Sequence, residues 1–119
     1  MLSCNRIAAM LLVAMLGAAP AAAQYLFLDN SVLEVMTKQD VEDFRQAIRQ
    51  AVEKEPDGHT VGWSNPTSGA SGTVTPVRSY QGKQGLPCRS VEVYTKAKDR
   101  DSRGTWQFCK SGTRWGLAS

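Results

Sequence analysis

The order of apolar and polar positions divides the chain into an apolar N-terminal run, one helical segment and several alternating segments. Residues 37–55 form the helical segment, because their apolar positions recur at a spacing of three to four. Thr37 is the expected N-cap and Asp40 follows it at the capping-box position, while Pro56-Asp57-Gly58 ends the helix as a turn. The apolar stripe consists of Val41, Phe44, Ile48, Ala51 and Val52, with Ala47 beside it.

Alternating positions after the helix predict a series of β-strands. A turn-forming segment, residues 65–69, connects the first strand to the second. Pro76 lies inside the second strand and removes one hydrogen-bond donor, so we expect that strand at a sheet edge or with a bulge. The pattern predicts an α+β fold, with one amphipathic helix packed on a four- to five-stranded antiparallel sheet. The strands are expected at residues 59–64, 72–80, 88–96, 104–110 and 113–117, with a mixed-charge loop before the fourth.

The two later cysteines define the faces of the predicted sheet. If Cys88 and Cys109 oppose each other on neighbouring strands, they share a face with every second residue of those strands. We expect the helix to cover the other, more apolar face, unless a bulge between Cys88 and Val91 reverses the alternation. The cysteine face would carry Ser90, Glu92, Tyr94, Thr105 and Gln107, and the other face Arg89, Val91, Val93, Trp106 and Phe108.

The first 23 residues have the pattern of a secretory signal peptide. A short region with one positive charge, Arg6, precedes the apolar run at residues 7–19, and Ala21-Ala22-Ala23 supplies the small side chains of a cleavage site. We expect cleavage between Ala23 and Gln24. The apolar run is shorter than the about 20 residues that a membrane-spanning helix needs, so we expect no membrane span after cleavage.

Cleavage would leave an N-terminal arm at residues 24–36 and a domain at residues 37–119. The arm is apolar at both ends around Asp29-Asn30-Ser31, and it could be extended, a short strand or a helical turn. We favour packing on its own domain over docking on a partner or a membrane, because free termini are ordered only when tied down. Cys4 lies before the apolar run and not at its end, which argues against a lipid anchor.

Charge and cysteine content narrow the function classes. The chain has 14 basic and 11 acidic residues, a net charge of +3, and loss of Arg6 would leave 13 against 11, or +2. So weak a positive charge does not predict a nucleic-acid partner. Removal of Cys4 would leave Cys88 and Cys109, and an even number of cysteines in a small exported chain favours a disulfide over part of a metal site.

The sequence shows no catalytic pattern. His59 is the single histidine, and it starts a predicted strand with no nucleophile and base around it. The glycine-rich segment at residues 69–72 lacks the lysine and the helix of a phosphate-binding loop. Trp63, Trp106 and Trp115 could form an exposed aromatic surface, but core packing is the simpler interpretation. We therefore predict no enzyme activity, no cofactor and no metal site.

The segment from Trp63 to Pro76 resembles part of a known family. Its sequence is Trp63-Ser-Asn-Pro-Thr-Ser-Gly-Ala-Ser-Gly-Thr-Val-Thr-Pro76, and Cys88-Arg89, Cys109 and a late tryptophan follow it. In these positions the chain is similar to the C-terminal domain of the rickettsial 17-kDa outer-membrane surface antigen family. The motif positions that carry the resemblance are Trp63, Asn65, Pro66, Gly69, Gly72, Val74, Pro76 and Arg89.

The resemblance implies a cell-envelope protein with an α+β domain and no enzyme activity. The chain differs from the family in three ways: it lacks a lipobox cysteine and a glycine zipper, has Lys110 after Cys109, and ends in Gly112-Thr-Arg-Trp115 instead of Gly-x-Trp. We predict a non-enzymatic exported envelope protein, periplasmic or secreted or associated with the outer membrane, that interacts with an unidentified envelope protein. The alternative is a small periplasmic or secreted inhibitor or ligand-binding module, by analogy at the level of the fold.

Overall fold

The structure, a computed structural model, describes residues 30–118 of the chain. The expected signal peptide, its cleavage site between Ala23 and Gln24, arm residues 24–29 and Ser119 lie outside the described residues. The helices are α1 (Asn30–Val35) and α2 (Lys38–Lys54), with a short 3-10 helix at Lys83–Gly85. The strands are β1 (Val61–Asn65), β2 (Ala70–Gln81), β3 (Pro87–Ala97), β4 (Arg100–Ser111) and β5 (Arg114–Leu117).

The five strands form one antiparallel sheet in the order β1-β2-β3-β4-β5, so each strand pairs with its neighbour in the sequence. The predicted α+β fold is confirmed. The loop expected before β4 is shorter than predicted, because β3 and β4 continue to a two-residue turn at Lys98-Asp99. Charged residues can extend these strands because their side chains alternate: Lys96 pairs with Asp101 and Tyr94 with Arg103, on the face away from the core.

Helix α2 packs its apolar stripe on β1 and β2 and begins where the sequence predicts. Thr37 is the N-cap: its Oγ1 accepts from the backbone nitrogen of Asp40 at 3.1 Å, and Asp40 Oδ2 accepts from the Thr37 nitrogen at 2.9 Å. Val41 and Ile48, expected in the stripe, are only half-buried. The buried core consists of Phe44, Ala47, Ala51, Val52, Val61, Val74, Val91, Val93 and Phe108.

Pro76 lies at a bulge in β2, as one of the two expected alternatives. The register between β2 and β3 shifts between Pro76 and Arg78. Strand β2 is not an edge of the sheet, but β1 ends opposite Val74, so Pro76 has a neighbouring strand on one side only. The missing donor of proline therefore costs the sheet no ladder hydrogen bond on the β1 side.

The disulfide and the assignment of faces are confirmed. Cys88 and Cys109 are opposite each other in the β3–β4 register and are bonded. Val91, Val93 and Phe108 lie on the other face, in the core under α2. Neither described helix covers the face that carries the disulfide, which we call the open face. Its exposed residues include Gly62, Thr73, Glu92 and Thr105.

Helix α1 belongs to the expected arm and packs on the core face, on strands β3 and β4. Val32 is fully buried against Ala70 and Ala97. Arg100 Nη1 donates to the Ser31 carbonyl at 2.8 Å, which fixes α1 to the start of β4. The described part of the arm therefore packs on its own domain.

Candidate functional site

The loop of the motif encloses a buried carboxylate at the start of α2. Asp40 Oδ1 accepts hydrogen bonds from Asn65 Nδ2 at 2.7 Å and from Ser68 Oγ at 2.6 Å. Asp40 Oδ2 accepts a hydrogen bond from the Thr37 backbone nitrogen, and Asp40 is 1% exposed. The polar side chains of the loop thus fix the N-terminus of α2 to the β1–β2 turn.

Asp40 remains ionised in this position. Burial by itself raises the pKa of a carboxyl group, but hydrogen bonds from Ser68, Thr37 and Asn65 together outweigh burial and hold the pKa of Asp40 below its ordinary value. The positive end of the α2 dipole favours the same charge state. The contacts that satisfy this carboxylate are internal to the domain, so it stabilises the fold and is not placed to act on a substrate.

Arg89 has the matching role at the other end of α2. Its Nη1 donates to the carbonyls of Ala51 and Val52 at 3.0 and 2.9 Å, and its Nε donates to Ser79 Oγ at 3.1 Å. Its Nη2 lies 2.7 Å from Asp57 Oδ1. The last turn of a helix leaves carbonyls without intrahelical partners, and one planar guanidinium reaches two of them here. Arg89 therefore fixes the C-terminus of α2 to β2 and β3.

Asp57 completes this contact from the turn after α2. Hydrogen bonds from Arg89 and Ser79 hold the pKa of Asp57 below its ordinary value, against a smaller effect of desolvation. The Asp57 side chain is 43% exposed, whereas that of Arg89 is 9% exposed. The arginine is thus the buried member, and the carboxylate orients it from the surface.

Gly72 allows the Trp63 side chain to lie across β2. A Cβ at position 72 would lie 2.4 Å from Trp63 Nε1 and 2.5 Å from the Tyr94 carbonyl oxygen. Only glycine fits at this position without displacing the indole or the β3 backbone. Trp63, like Trp106 and Trp115, is partly buried against the core, as expected for all three.

The remaining motif residues also serve the fold. Val74 and Pro76 are fully buried, and Gly69 has a φ of +81° in the turn that begins at Pro66. Positive φ is a conformation that glycine adopts without steric cost. The motif residues therefore hold β1, β2 and both ends of α2 in place, and they form no chemical site.

Within residues 30–118, the side chain that the structure places next to His59 is the carboxylate of Glu55, and no nucleophile lies beside it. The His59 side chain is 71% exposed, and its Nδ1 lies 3.3 Å from Glu55 Oε2. No group of three or more metal-ligating side chains occurs in the described part of the chain.

A groove of about 630 Å³ lies on the open face, at the end of the sheet that carries the disulfide. Four residues in register across neighbouring strands form its floor: Tyr80 on β2, Cys88 on β3, Cys109 on β4 and Gly116 on β5. A Cβ at Gly82 would lie 2.4 Å from Cys88 Sγ, so glycine allows the β2–β3 loop to approach the disulfide. We call this site the disulfide groove; its lining includes Tyr80, Lys83, Leu86, Gln107, Arg114 and the disulfide.

Gln107 has a fixed orientation in the disulfide groove. Tyr80 Oη donates to Gln107 Oε1 at 2.7 Å, and Ser90 Oγ donates to the same oxygen at 2.6 Å. Because both hydroxyls contact the carbonyl oxygen, the amide nitrogen Nε2 is turned away from them. This nitrogen has no hydrogen-bond partner within the described residues.

Sequence reasoning placed Gln107 on the cysteine face but did not identify the disulfide groove. Lys83 and Arg114 were not singled out, because they lie in loop or edge segments with no distinctive spacing. One signal in the sequence could have found the site: no Asp or Glu occurs in residues 58–91 or 102–118. These two stretches supply the lining residues of the groove.

Fold and site together define a small helix-on-sheet domain whose buried polar motif serves packing and whose open face carries a groove. The family model described as 17 kDa outer membrane surface antigen matches residues 50–115. This match covers more than half of the chain, so the chain belongs to that family. The resemblance expected from the motif is confirmed.

Two curated relatives also match part of the chain. The 17 kDa surface antigens from Rickettsia bellii strain RML369-C and from Rickettsia bellii are each 33% identical to the chain over 78 residues. The aligned region is 64% of this chain and 49% of each relative. The chain thus spans about half the length of the curated relatives it matches. No solved structure matches the chain.

Proposed function

We propose that the protein is an exported, non-enzymatic envelope protein of the surface-antigen type that acts by binding another envelope component. The observation that carries this proposal is the open face: both described helices pack on the opposite face of the sheet. One face of an antiparallel sheet can be solvated, and such a face is accessible to a partner. Its exposed residues are polar or charged, such as Thr73, Thr105 and Glu92, which suits a reversible interface more than a permanent one.

Export is supported by the signal-peptide pattern of residues 1–23 and by the outer-membrane description of the family. None of the helices within residues 30–118 combines the length and apolar character needed to cross a membrane. We place the mature chain in the periplasm or outside the cell, with outer-membrane association through a partner.

Cell fractionation tests the location, and N-terminal sequencing of the mature protein tests cleavage between Ala23 and Gln24. We expect the protein in the periplasmic, outer-membrane or secreted fraction, with Gln24 as its first residue. A full-length pool in the cytoplasm would contradict export.

A pull-down from envelope extract tests the interaction and the surface that makes it. Thr73→Arg places a long charged side chain on the open face, whereas Gln46→Arg places the same side chain on the exposed side of α2. We expect wild type and Gln46→Arg to recover the same partner and Thr73→Arg to lose it. Equal recovery by all three proteins would show that the open face is not the interface.

The alternative function is that of a small inhibitor or ligand-binding module, and the disulfide groove is the observation that favours it. If the protein is an inhibitor, the pull-down should recover one envelope hydrolase in a stoichiometric complex, and the purified protein should reduce the activity of that hydrolase. Recovery of a partner with no change in any hydrolase activity would leave the envelope-interaction proposal as the better one.

A further inference from the structure

We propose that the disulfide groove binds an amphiphilic anion, a molecule with a hydrocarbon body and one carboxylate or phosphate group. This inference rests on the proposed function, because it assigns a ligand class to the same open face. Three independent properties of the groove support it: its apolar floor, its unopposed positive charge and its oriented hydrogen-bond donor.

The floor and one wall of the groove are apolar. The disulfide and Gly116 form the middle of the floor, and Leu86 lies on the wall formed by the β2–β3 loop. A Cβ added at Gly116 would meet nothing within 4 Å, so the floor is open above this residue. A volume of about 630 Å³ lies within the range of sites that bind small molecules.

The charges around the groove are positive. Lys83 and Arg114 line it, and neither forms an ion pair with any residue of the described chain. Arg78 lies beside it, with its guanidinium carbon 4.7 Å from the centre of the Tyr80 ring. No carboxylate side chain lines the groove. Unpaired cations next to an apolar surface attract an anion and repel a cation.

Gln107 adds a donor with a fixed direction. The hydrogen bonds from Tyr80 and Ser90 occupy Oε1, which leaves Nε2 to donate to a ligand. A donor already held in place loses little conformational entropy on binding. An oxygen of a carboxylate or phosphate group is the partner that fits both this donor and the neighbouring cations.

The apolar floor favours an amphiphile over an acidic peptide. A peptide with several carboxylates would place more negative charges in the groove than Lys83 and Arg114 can pair, next to Leu86, Gly116 and the disulfide. A ligand with one anionic end can pair that end with Lys83 or Arg114 and cover the floor with its hydrocarbon part.

Titration of the mature protein with dodecanoate, followed by NMR and calorimetry below the micellar concentration, tests the proposal. We expect saturable binding with shifts at the Gln107 side-chain amide and at the backbone amides of Gly82 and Gly116. Acetate and inorganic phosphate lack the hydrocarbon body, and dodecyltrimethylammonium carries the opposite charge. Binding of any of these as tight as that of dodecanoate would overturn the proposal, as would tighter binding of a glutamate-rich peptide.

Gln107→Glu is the most informative variant. A glutamate keeps the shape of glutamine and still accepts from Tyr80 and Ser90, but it replaces the free donor by a charged acceptor. We expect dodecanoate to bind at least about tenfold more weakly. Unchanged affinity would show that Gln107 does not contact the anion.

Two further variants have matched controls. Gly116→Leu fills the floor, and Gly62→Leu makes the same change on the same face at the opposite edge strand, where a Cβ would meet only the Gly72 carbonyl oxygen at 4.0 Å. Arg114→Glu reverses a charge that lines the groove, and Arg49→Glu reverses a charge on the exposed side of α2. We expect about tenfold weaker binding for the groove variants only. Equal effects of variant and control would overturn the proposal.

Failure of this proposal can be distinguished from failure of the proposed function. If dodecanoate does not bind but fractionation and pull-down succeed, the ligand class is wrong and the envelope role stands. If dodecanoate binds in the groove but the protein is cytoplasmic, the envelope role is wrong and the site stands.

Discussion

Two charged side chains, Asp40 and Arg89, are buried at opposite ends of α2, and each is held by several hydrogen bonds. A buried charge that loses its partners is costly, whereas a surface charge contributes little. Substitution of these residues should therefore change stability far more than substitution of charges elsewhere on the helix.

We expect Asp40→Ala to lower the free energy of unfolding by about 2–4 kcal/mol, because it leaves Asn65, Ser68 and the Thr37 nitrogen without their acceptor. Asp43→Ala is the control: Asp43 accepts a hydrogen bond from the exposed Gln39 side chain, and we expect a loss below about 1 kcal/mol. Urea unfolding at neutral pH measures both. Similar losses would show that the buried network does not stabilise the domain.

Asp40 also predicts how stability depends on pH. Its pKa is lower in the folded than in the unfolded chain, so its contribution is complete above the unfolded pKa of about 4 and is lost as pH falls through the folded pKa. The urea concentration at the unfolding midpoint of wild type should therefore decrease as the pH is lowered below about 4, and that of Asp40→Ala should decrease less steeply. Parallel curves for the two proteins would contradict the ionised state of Asp40.

Gly72→Ala should destabilise the domain by about 1–3 kcal/mol, because the new Cβ would lie 2.4 Å from Trp63 Nε1 and 2.5 Å from a backbone oxygen. Gly62→Ala, in the adjacent strand, adds the same atom where the nearest contact is 4.0 Å, and it should be nearly neutral. Thermal unfolding and tryptophan fluorescence measure the difference. A neutral Gly72→Ala would mean that the indole has room to move.

At the scale of the elements, helix α2 is held at both of its ends by contacts with the sheet and its loops. The loop after β1 contacts its first turn through Asp40, and β3 contacts its last turn through Arg89. Most of the stability of a helix in a protein comes from tertiary packing, so these end contacts and the apolar stripe stabilise the 17 residues of α2 as a helix.

Arg89→Met keeps much of the apolar length of the side chain and removes the guanidinium. We expect it to lower the free energy of unfolding by about 3 kcal/mol, because two helix carbonyls lose this donor and Asp57 loses its ion pair. Arg103→Met, at a side chain 64% exposed, should cost less than about 1 kcal/mol. Chemical unfolding monitored by circular dichroism compares the two variants. Equal losses of unfolding free energy would show that Arg89 does not hold the C-terminus of α2 on the sheet.

The elements also show how far the sequence alone can lead. The capping box, the apolar stripe and the strand alternation are local patterns, so the helix bounds and the faces of β3 and β4 could be predicted. The contact of Asp40 with Ser68 joins residues 28 apart, and the disulfide groove joins Tyr80 with Gln107, 27 apart. Such contacts depend on strand register and on the bulge at Pro76, which no local period encodes.

At the scale of the whole molecule, one covalent bond links the last long hairpin. Replacement of both Cys88 and Cys109 by alanine should lower the free energy of unfolding by about 3 kcal/mol, as expected for a loop of 21 residues in the chain-entropy model. Thermal unfolding of this variant and of reduced wild type should agree. Two thiols that react with a labelling reagent in the untreated native protein would contradict the bond.

The strand order β1-β2-β3-β4-β5 has a consequence for the order of assembly. Every strand pairs with the strand before it, and α2 packs on the two strands that follow it, so most of the domain closes through contacts of low contact order. Contacts that span more of the chain are those of Arg89 with the end of α2, across 38 residues, and of Arg100 with Ser31 in α1, across 69 residues. A chain that enters a new compartment from its N-terminus could therefore build the sheet strand by strand, and α1 would dock only after the β3–β4 hairpin exists.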